Sequence, residues 1–316
     1  MDIYYTRRDV KLMQFLSIGI NGNTEQVVQH INEELQQLKS KKIDYSIDEV
    51  DAEGTTSIIC SIDDNKVYRD KPAETLKTFK LYMANALADY IIRQYEERLL
   101  ARIINSNYCY FNSAEKKDIL AKALSMVNNE DKSFLNNLFQ VRRKNVIIKK
   151  LMDYFENDDN IILDGFVNFR LKEYMKDLED IVDKAVDEFL MEREYREFIR
   201  LLRYFVDIQE PKFDVVHVVV GFDGKYMLFN DEKREITNEC IQEYVSEISE
   251  GEMNYDDLLV SSLITFAPKR IVMHCTGEFK NKELMETIKN VFAGRVTICQ
   301  GCEICLVNAV KSESKK

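Results

Sequence analysis

Residues that interrupt regular structure are scarce in this chain, with only 3 Pro and 10 Gly among 316 residues. That scarcity excludes collagen-like and linker-rich chains and argues against an all-β fold that turns every few residues. No apolar run approaches the roughly 18 residues that a membrane span needs. The start, Met1-Asp2-Ile3-Tyr4-Tyr5-Thr6-Arg7-Arg8, has no charged region followed by an apolar core, so a cytoplasmic protein without a secretory signal is expected. Histidine is limited to His30, His217 and His274, and neither H-E-x-x-H nor G-x-S-x-G occurs. The loop Gly19-Ile20-Asn21-Gly22-Asn23-Thr24 matches neither the dinucleotide fingerprint nor a Lys-containing phosphate loop, and reads as turn and cap. With 55 acidic side chains, carboxylate pairs arise by chance and none stands out. The sequence therefore leans away from an enzyme and offers no catalytic residue.

What is present suffices for a folded protein. Hydrophobic residues make up 45% of the chain and aromatics 10%, enough to build a core and to exclude disorder as a description of the whole. The net charge of −11 is unevenly spread, because residues 66–150 carry +8 while the flanking segments are acidic. The basic segment ends in Arg142-Arg143-Lys144 and Lys149-Lys150. One reading is a phosphate-binding surface for nucleic acid or anionic lipid. The other is docking against acidic neighbours, which the overall negative charge favours because a polyanion would be repelled.

Hydrophobic periodicity divides the chain into three parts. Residues 1–65 read as a small β-α-β-β unit: a strand at Phe15–Ile20, a helix with Val27, Ile31, Leu35 and Leu38 on one face, and a hairpin from Ile43, Tyr45 and Ile47 into Ser57–Cys60. Residues 66–211 read as helical, bounded by Pro72 and Pro211, with pieces near 114–127, 132–141 and 144–156. Leu171, Met175, Leu178, Val182, Ala185 and Phe189 step by 4 and 3, the seam of a packed helix pair. The seam breaks at Glu192 and is expected to resume through Tyr195, Phe198, Leu202 and Phe205, with Asp164 and Gly165 capping its start. Residues 212–316 read as an α/β unit. Val215–Val220 is apolar on both faces and hence central, and Tyr226–Phe229 returns as its hairpin partner. Helices near 237–249 and 255–266 precede a parallel β-α-β crossover from Arg270–Cys275 to Arg295–Cys299. The expected class is thus α/β at the ends with a large all-helical middle, and residues 1–65 and 212–316 are candidates for one shared sheet.

The densest chemistry is Cys299-Gln300-Gly301-Cys302-Glu303-Ile304-Cys305. Thiolates at this spacing can curl round one soft cation, with Gly301 permitting the tight backbone. Structural zinc takes four ligands, and the common iron–sulfur clusters take four Cys. If the strands ending at residues 275 and 299 are parallel neighbours, Cys275 is the candidate fourth ligand and His274 the alternative. No fourth Cys follows Cys305 in the manner of a bacterial ferredoxin. The competing reading is reduced, buried small side chains or a redox pair. Arg193, Arg196, Arg200 and Arg203 form a basic stripe interleaved with Glu192, Glu194 and Glu197, which reads either as a salt-bridged helix face or as a dock for a protein partner. His217, inside an apolar strand, reads as a satisfied core histidine.

Three stretches together carry a resemblance: Ile162-Leu163-Asp164-Gly165-Phe166-Val167-Asn168-Phe169-Arg170-Leu171-Lys172-Glu173-Tyr174, the hairpin at residues 215–224, and the α-β run at 258–275. On these the chain resembles the YtxC-like family, which is associated with sporulation in endospore-forming bacteria. The resemblance implies a cytoplasmic protein linked to spore formation and carries over no reaction and no catalytic residues. Three functions follow as expectations: a sporulation-associated interaction or regulatory protein, a zinc-binding, iron–sulfur or redox-sensing protein built on the cysteines, and a nucleic-acid binder using the basic segment.

Overall fold

The structure, a computed structural model, describes residues 14–20, 24–52, 55–63, 69–128, 134–221, 225–237, 254–274 and 281–305. They fall into two compact units, 1–190 and 191–316.

The first unit begins with strand β1 (Gln14–Ile20), helix α1 (Thr24–Ser40) and the hairpin β2 (Tyr45–Ala52) and β3 (Thr55–Ile62). The strands form a four-stranded sheet in the order β2-β3-β1-β4, in which β4 (Asn160–Ile162) comes from the middle of the chain. β1 runs antiparallel to β3 and parallel to β4, so Ile18 lies opposite both Ile58 and Ile161. All three are buried and form one apolar row across the sheet. The face of α1 read from the sequence is the buried one, since Val27, Ile31, Leu35 and Leu38 are its buried residues. Removing four such side chains from water favours folding by about 1.5–3 kcal/mol each.

Further helices among the described residues of this unit are α2 (Pro72–Asn107), α3 (Ser113–Asn128), α4 (Phe134–Phe155), α5 (Leu163–Arg170) and the first part of α6 (Lys172–Ile208). Pro72 opens α2, where its missing N–H costs nothing. Asn112 starts α3 as a capping box: its side-chain oxygen accepts from the Ala114 and Glu115 amides, and the Glu115 carboxylate accepts from the Asn112 amide. α4 is one helix where two pieces were expected, and Ile147, Leu151 and Phe155 are buried along it. Asp164 caps no long helix. It lies in the first turn of α5, where it accepts a hydrogen bond from the Tyr95 hydroxyl at 2.9 Å. Among the described residues, the buried side chains of the first sheet and α1 belong to a hydrophobic cluster that runs from Leu16 to Phe189.

That cluster encloses one charged group of three. The buried Arg143 guanidinium donates to the buried Glu96 carboxylate and, at 3.3 Å, to the Val127 carbonyl. The Tyr174 hydroxyl donates to the same Glu96 oxygen at 2.8 Å. Burial pushes the Glu96 carboxyl above its ordinary range, while Arg143 and Tyr174 pull it back. Charges out of water are tolerable only with such partners.

In the second unit, β5 (Val215–Val220), β6 (Tyr226–Phe229), β7 (Arg270–His274) and β8 (Val296–Ile298) form a sheet in the order β6-β5-β7-β8. β5 is central as expected, antiparallel to β6 and parallel to β7, and β7 is parallel to β8. Helices α7 (Tyr255–Phe266) and α8 (Lys282–Val291) bury Leu259, Leu263 and Phe266, and Leu284, Ile288 and Val291. The expected helix near 237–249 lies almost wholly outside the described residues. The strands of the two ends pair in two separate sheets rather than in the shared sheet raised from the sequence. The resumed seam on α6 is also corrected. Ile199 and Val206 are the buried positions and Leu202 packs against the same core, whereas Tyr195, Phe198 and Phe205 are exposed.

Replacing Glu96 alone by Leu strands a buried guanidinium and is expected to destabilise the chain by about 3–5 kcal/mol. Adding Arg143→Met should recover most of that loss, because the double replacement leaves no uncompensated charge. Urea midpoints of the three proteins check this, and a double variant as unstable as the single one would contradict it.

Candidate metal centre

Parallel pairing of β7 with β8 sets the site. The register places Met273 opposite Ile298, and the Cys299 amide donates to the Met273 carbonyl at 2.9 Å. The residues that follow, His274 at the end of β7 and Cys299 just past β8, therefore lie side by side. β7 alternates its side chains, so His274 and Val272 share a face, and His274 is buried. Past β8 the chain turns back at Gly301, whose φ of +125° is a conformation that L side chains rarely adopt. The Gly301 amide meets Cys299 Sγ at 3.4 Å, and the turn delivers Cys302 and Cys305 to the same place.

The result is a compact group of four ligand atoms. His274 Nδ1 lies 3.3 Å from Cys302 Sγ and 3.6 Å from Cys305 Sγ. Cys305 Sγ lies 3.9 Å from both Cys302 Sγ and Cys299 Sγ. All four atoms fall within 4.8 Å of one another, an arrangement that could hold a metal ion. Three thiols and a neutral imidazole are the donor set of structural zinc sites. His274 thus joins the three cysteines, while Cys275 lies outside the described residues.

The electrostatics suit a cation. Desolvation, and then His217, hold the His274 imidazole below its ordinary value and so keep it neutral. At Cys299 the Gly301 amide favours the thiolate, but burial and the neighbouring thiols of Cys302 and Cys305 outweigh it and push the group up. Crowded thiols resist losing their protons to water, and a bound cation removes that resistance by neutralising the thiolates.

His217 sits against the far side of the same imidazole. Its Nδ1 lies 2.9 Å from His274 Nε2, and burial, then Lys233 and Arg270, lower its own proton affinity. The sequence reading of a satisfied core histidine missed this partner, because β5 and β7 are joined through a long connection and only their pairing brings the rings together.

The other sequence candidates fall elsewhere. Arg196 and Arg200 are exposed on α6, Arg193 is half-buried, and Arg203 donates to the Asn290 carbonyl at 3.2 Å. The basic segment docks against acids: beyond the buried Arg143, Lys144 pairs with Asp89 at 2.9 Å and Arg142 with Asp177 at 3.8 Å. Among the described residues no helix is long and apolar enough to cross a membrane.

A mixed α/β chain with a His/Cys cluster at the edge of its second sheet is the class the coordinates define. The model of the YtxC-like family matches residues 81–297, and the chain belongs to that family. It is 29% identical over 217 residues to "Uncharacterized protein YtxC" of Bacillus subtilis (strain 168), covering 68% of this chain and 75% of that one. No solved structure matches significantly. The family match takes in His217 and His274 and stops short of Cys299.

Gly301→Ala forces a side chain into a backbone region that costs about 1–3 kcal/mol. The space around a new Cβ is open, so the strain is purely conformational. The variant is expected to bind cadmium roughly tenfold more weakly, followed by thiolate–metal absorption. Undiminished binding would show that the positive φ is not needed to gather the thiols.

Proposed function

We propose that this YtxC-like protein is a cytoplasmic, non-enzymatic zinc-binding protein in which the ion, held by His274, Cys299, Cys302 and Cys305, fixes the carboxyl-terminal edge of the second unit. The observation that carries this reading is the set of ligand separations. A tetrahedral zinc with bonds of about 2.3 Å to sulfur and 2.0–2.1 Å to nitrogen spaces its sulfurs about 3.8 Å apart and its sulfur and nitrogen about 3.6 Å apart. Cys305 Sγ stands 3.9 Å from the other two sulfurs, His274 Nδ1 stands 3.3 and 3.6 Å from the sulfurs of Cys302 and Cys305, and all four atoms lie within 4.8 Å of one another. An iron–sulfur cubane puts each protein ligand on a different iron, spread more widely than the corners of one tetrahedron, so a single ion fits better.

The ion's role is structural and regulatory in this reading. All four positions are filled by protein, which leaves no open site for a substrate, as in closed structural zinc centres. Binding would tie the turn at 299–305 to the end of β7 and make its order depend on metal supply and on the redox state of the thiols. The family resemblance supports a role in spore formation. For a protein partner, α6 offers the exposed Arg196, Arg200 and Tyr204, four residues apart and so on one face that is basic and aromatic.

Elemental analysis of protein purified under reducing conditions tests this. One zinc per chain is expected, lost in Cys302→Ser, with a lower unfolding temperature after chelation. Substoichiometric zinc that a zinc-supplemented preparation does not raise would overturn the reading.

A further inference from the structure

His217 has a defined task at this site. We infer that His217 is the positioning residue that selects Nδ1 of His274 as the ligating nitrogen, by accepting a hydrogen bond from His274 Nε2–H. The inference rests on the zinc-binding reading and extends it from the four ligands to a fifth residue.

The argument follows from the two ends of one imidazole. His274 Nδ1 faces Cys302 Sγ and Cys305 Sγ at 3.3 and 3.6 Å, and Nε2 faces His217 Nδ1 at 2.9 Å. A neutral imidazole carries one N–H and one lone pair. If Nδ1 gives its lone pair to a metal, the proton must be on Nε2, and the only way to keep the 2.9 Å contact is for His217 Nδ1 to accept. That places the proton of His217 on its own Nε2. Reversing the bond, with His217 donating, would put the proton of His274 on Nδ1 and block the ligand set. One choice of tautomer at His217 therefore decides whether His274 can ligate.

The fold holds the pair in place. Val219 of β5 lies opposite His274 of β7, and His217 precedes it by two residues, so His217 and Val219 share a face. The two rings stand 5.2 Å apart with planes inclined at 39°. Because β5 is the central strand, the hydrogen bond links the ion's shell to the middle of the sheet and not only to its edge. Ligating histidines generally donate their second N–H to an acceptor, and removing that acceptor costs about 10–100-fold in metal affinity. Here the acceptor is another imidazole, which, unlike a carboxylate, adds no charge to the site.

Nitrogen NMR of the zinc-loaded full chain, with 15N-labelled histidine, reads the tautomers directly. We expect His274 bound through Nδ1 with a proton on Nε2, His217 protonated on Nε2 alone, and a nitrogen–nitrogen coupling across the bond between them. His217 protonated on Nδ1 would overturn the inference. Zinc competition with a chromophoric chelator gives a second measure. His217→Phe should bind about 10–100-fold more weakly, and His217→Asn, which keeps an acceptor near the position of Nδ1, should recover most of that loss. Equal affinity of wild type and His217→Phe would sink the positioning role and leave the zinc reading intact. A wild-type chain that takes up no zinc would fail the zinc reading itself, and the inference with it.

Discussion

The pairing of β7 with β8 is the constraint on which the site depends. Two parallel strands in this register place His274, the last residue of β7, beside Cys299, the first residue after β8. A slip of one residue would send every side chain of β8 to the opposite face and carry Cys299 away from His274. The apolar residues that fix the register are ordinary: Ile271 and Met273 are buried in the core of the second unit, and Val296 packs against it. Hydrophobic burial thus sets the position of a polar centre without contributing an atom to it. The loop does the rest, since a backbone at φ +125° is available to Gly301 at little cost and returns the chain so that two more thiols arrive.

The two units are specified by different polar devices. In the first, a buried group of Glu96, Arg143 and Tyr174 ties α2, α4 and α6 within a core made largely of aliphatic and aromatic side chains. Such a group adds little net stability compared with apolar residues of the same shape, but it penalises any helix register that leaves one member unpaired. In the second, the proposed cation takes that part, because four ligands converge in only one arrangement of strand end and turn. Cys60 illustrates the contrast. On β3 and buried in the core of the first unit, its thiol has a pKa raised by burial to about 12 and behaves as a small apolar side chain.

Much of the fold could be read from the sequence wherever the signal was local and periodic. The face of α1, the seam of α6 from Leu171 to Phe189 and the central strand β5 all followed from the sequence pattern, and apart from the half-buried Met175, Val215 and His217 their positions are buried. Failures came where a pattern was extended or where partners were distant. Carrying the seam of α6 past Glu192 pointed to Phe198 and Phe205, but the core of the second unit takes Ile199 and Val206, one residue on. β4 is three residues long and exists through its pairing with β1, far away in sequence, so no periodicity could announce it. Arg143 looked like part of an exposed basic run and is buried, because its partner Glu96 stands 47 positions away on another helix. At the metal centre the cysteine spacing was legible. The approach of His274 to the three thiols needed the strand register, and its contact with His217 needed the neighbouring strand as well.

X-ray absorption at the zinc edge of the purified full-length protein measures the proposed coordination sphere most directly. A shell of three sulfurs at about 2.3 Å and one nitrogen at about 2.0 Å is the expected result. A spectrum fitted by oxygen and nitrogen alone, or by two sulfurs or fewer, would contradict coordination by His274, Cys299, Cys302 and Cys305.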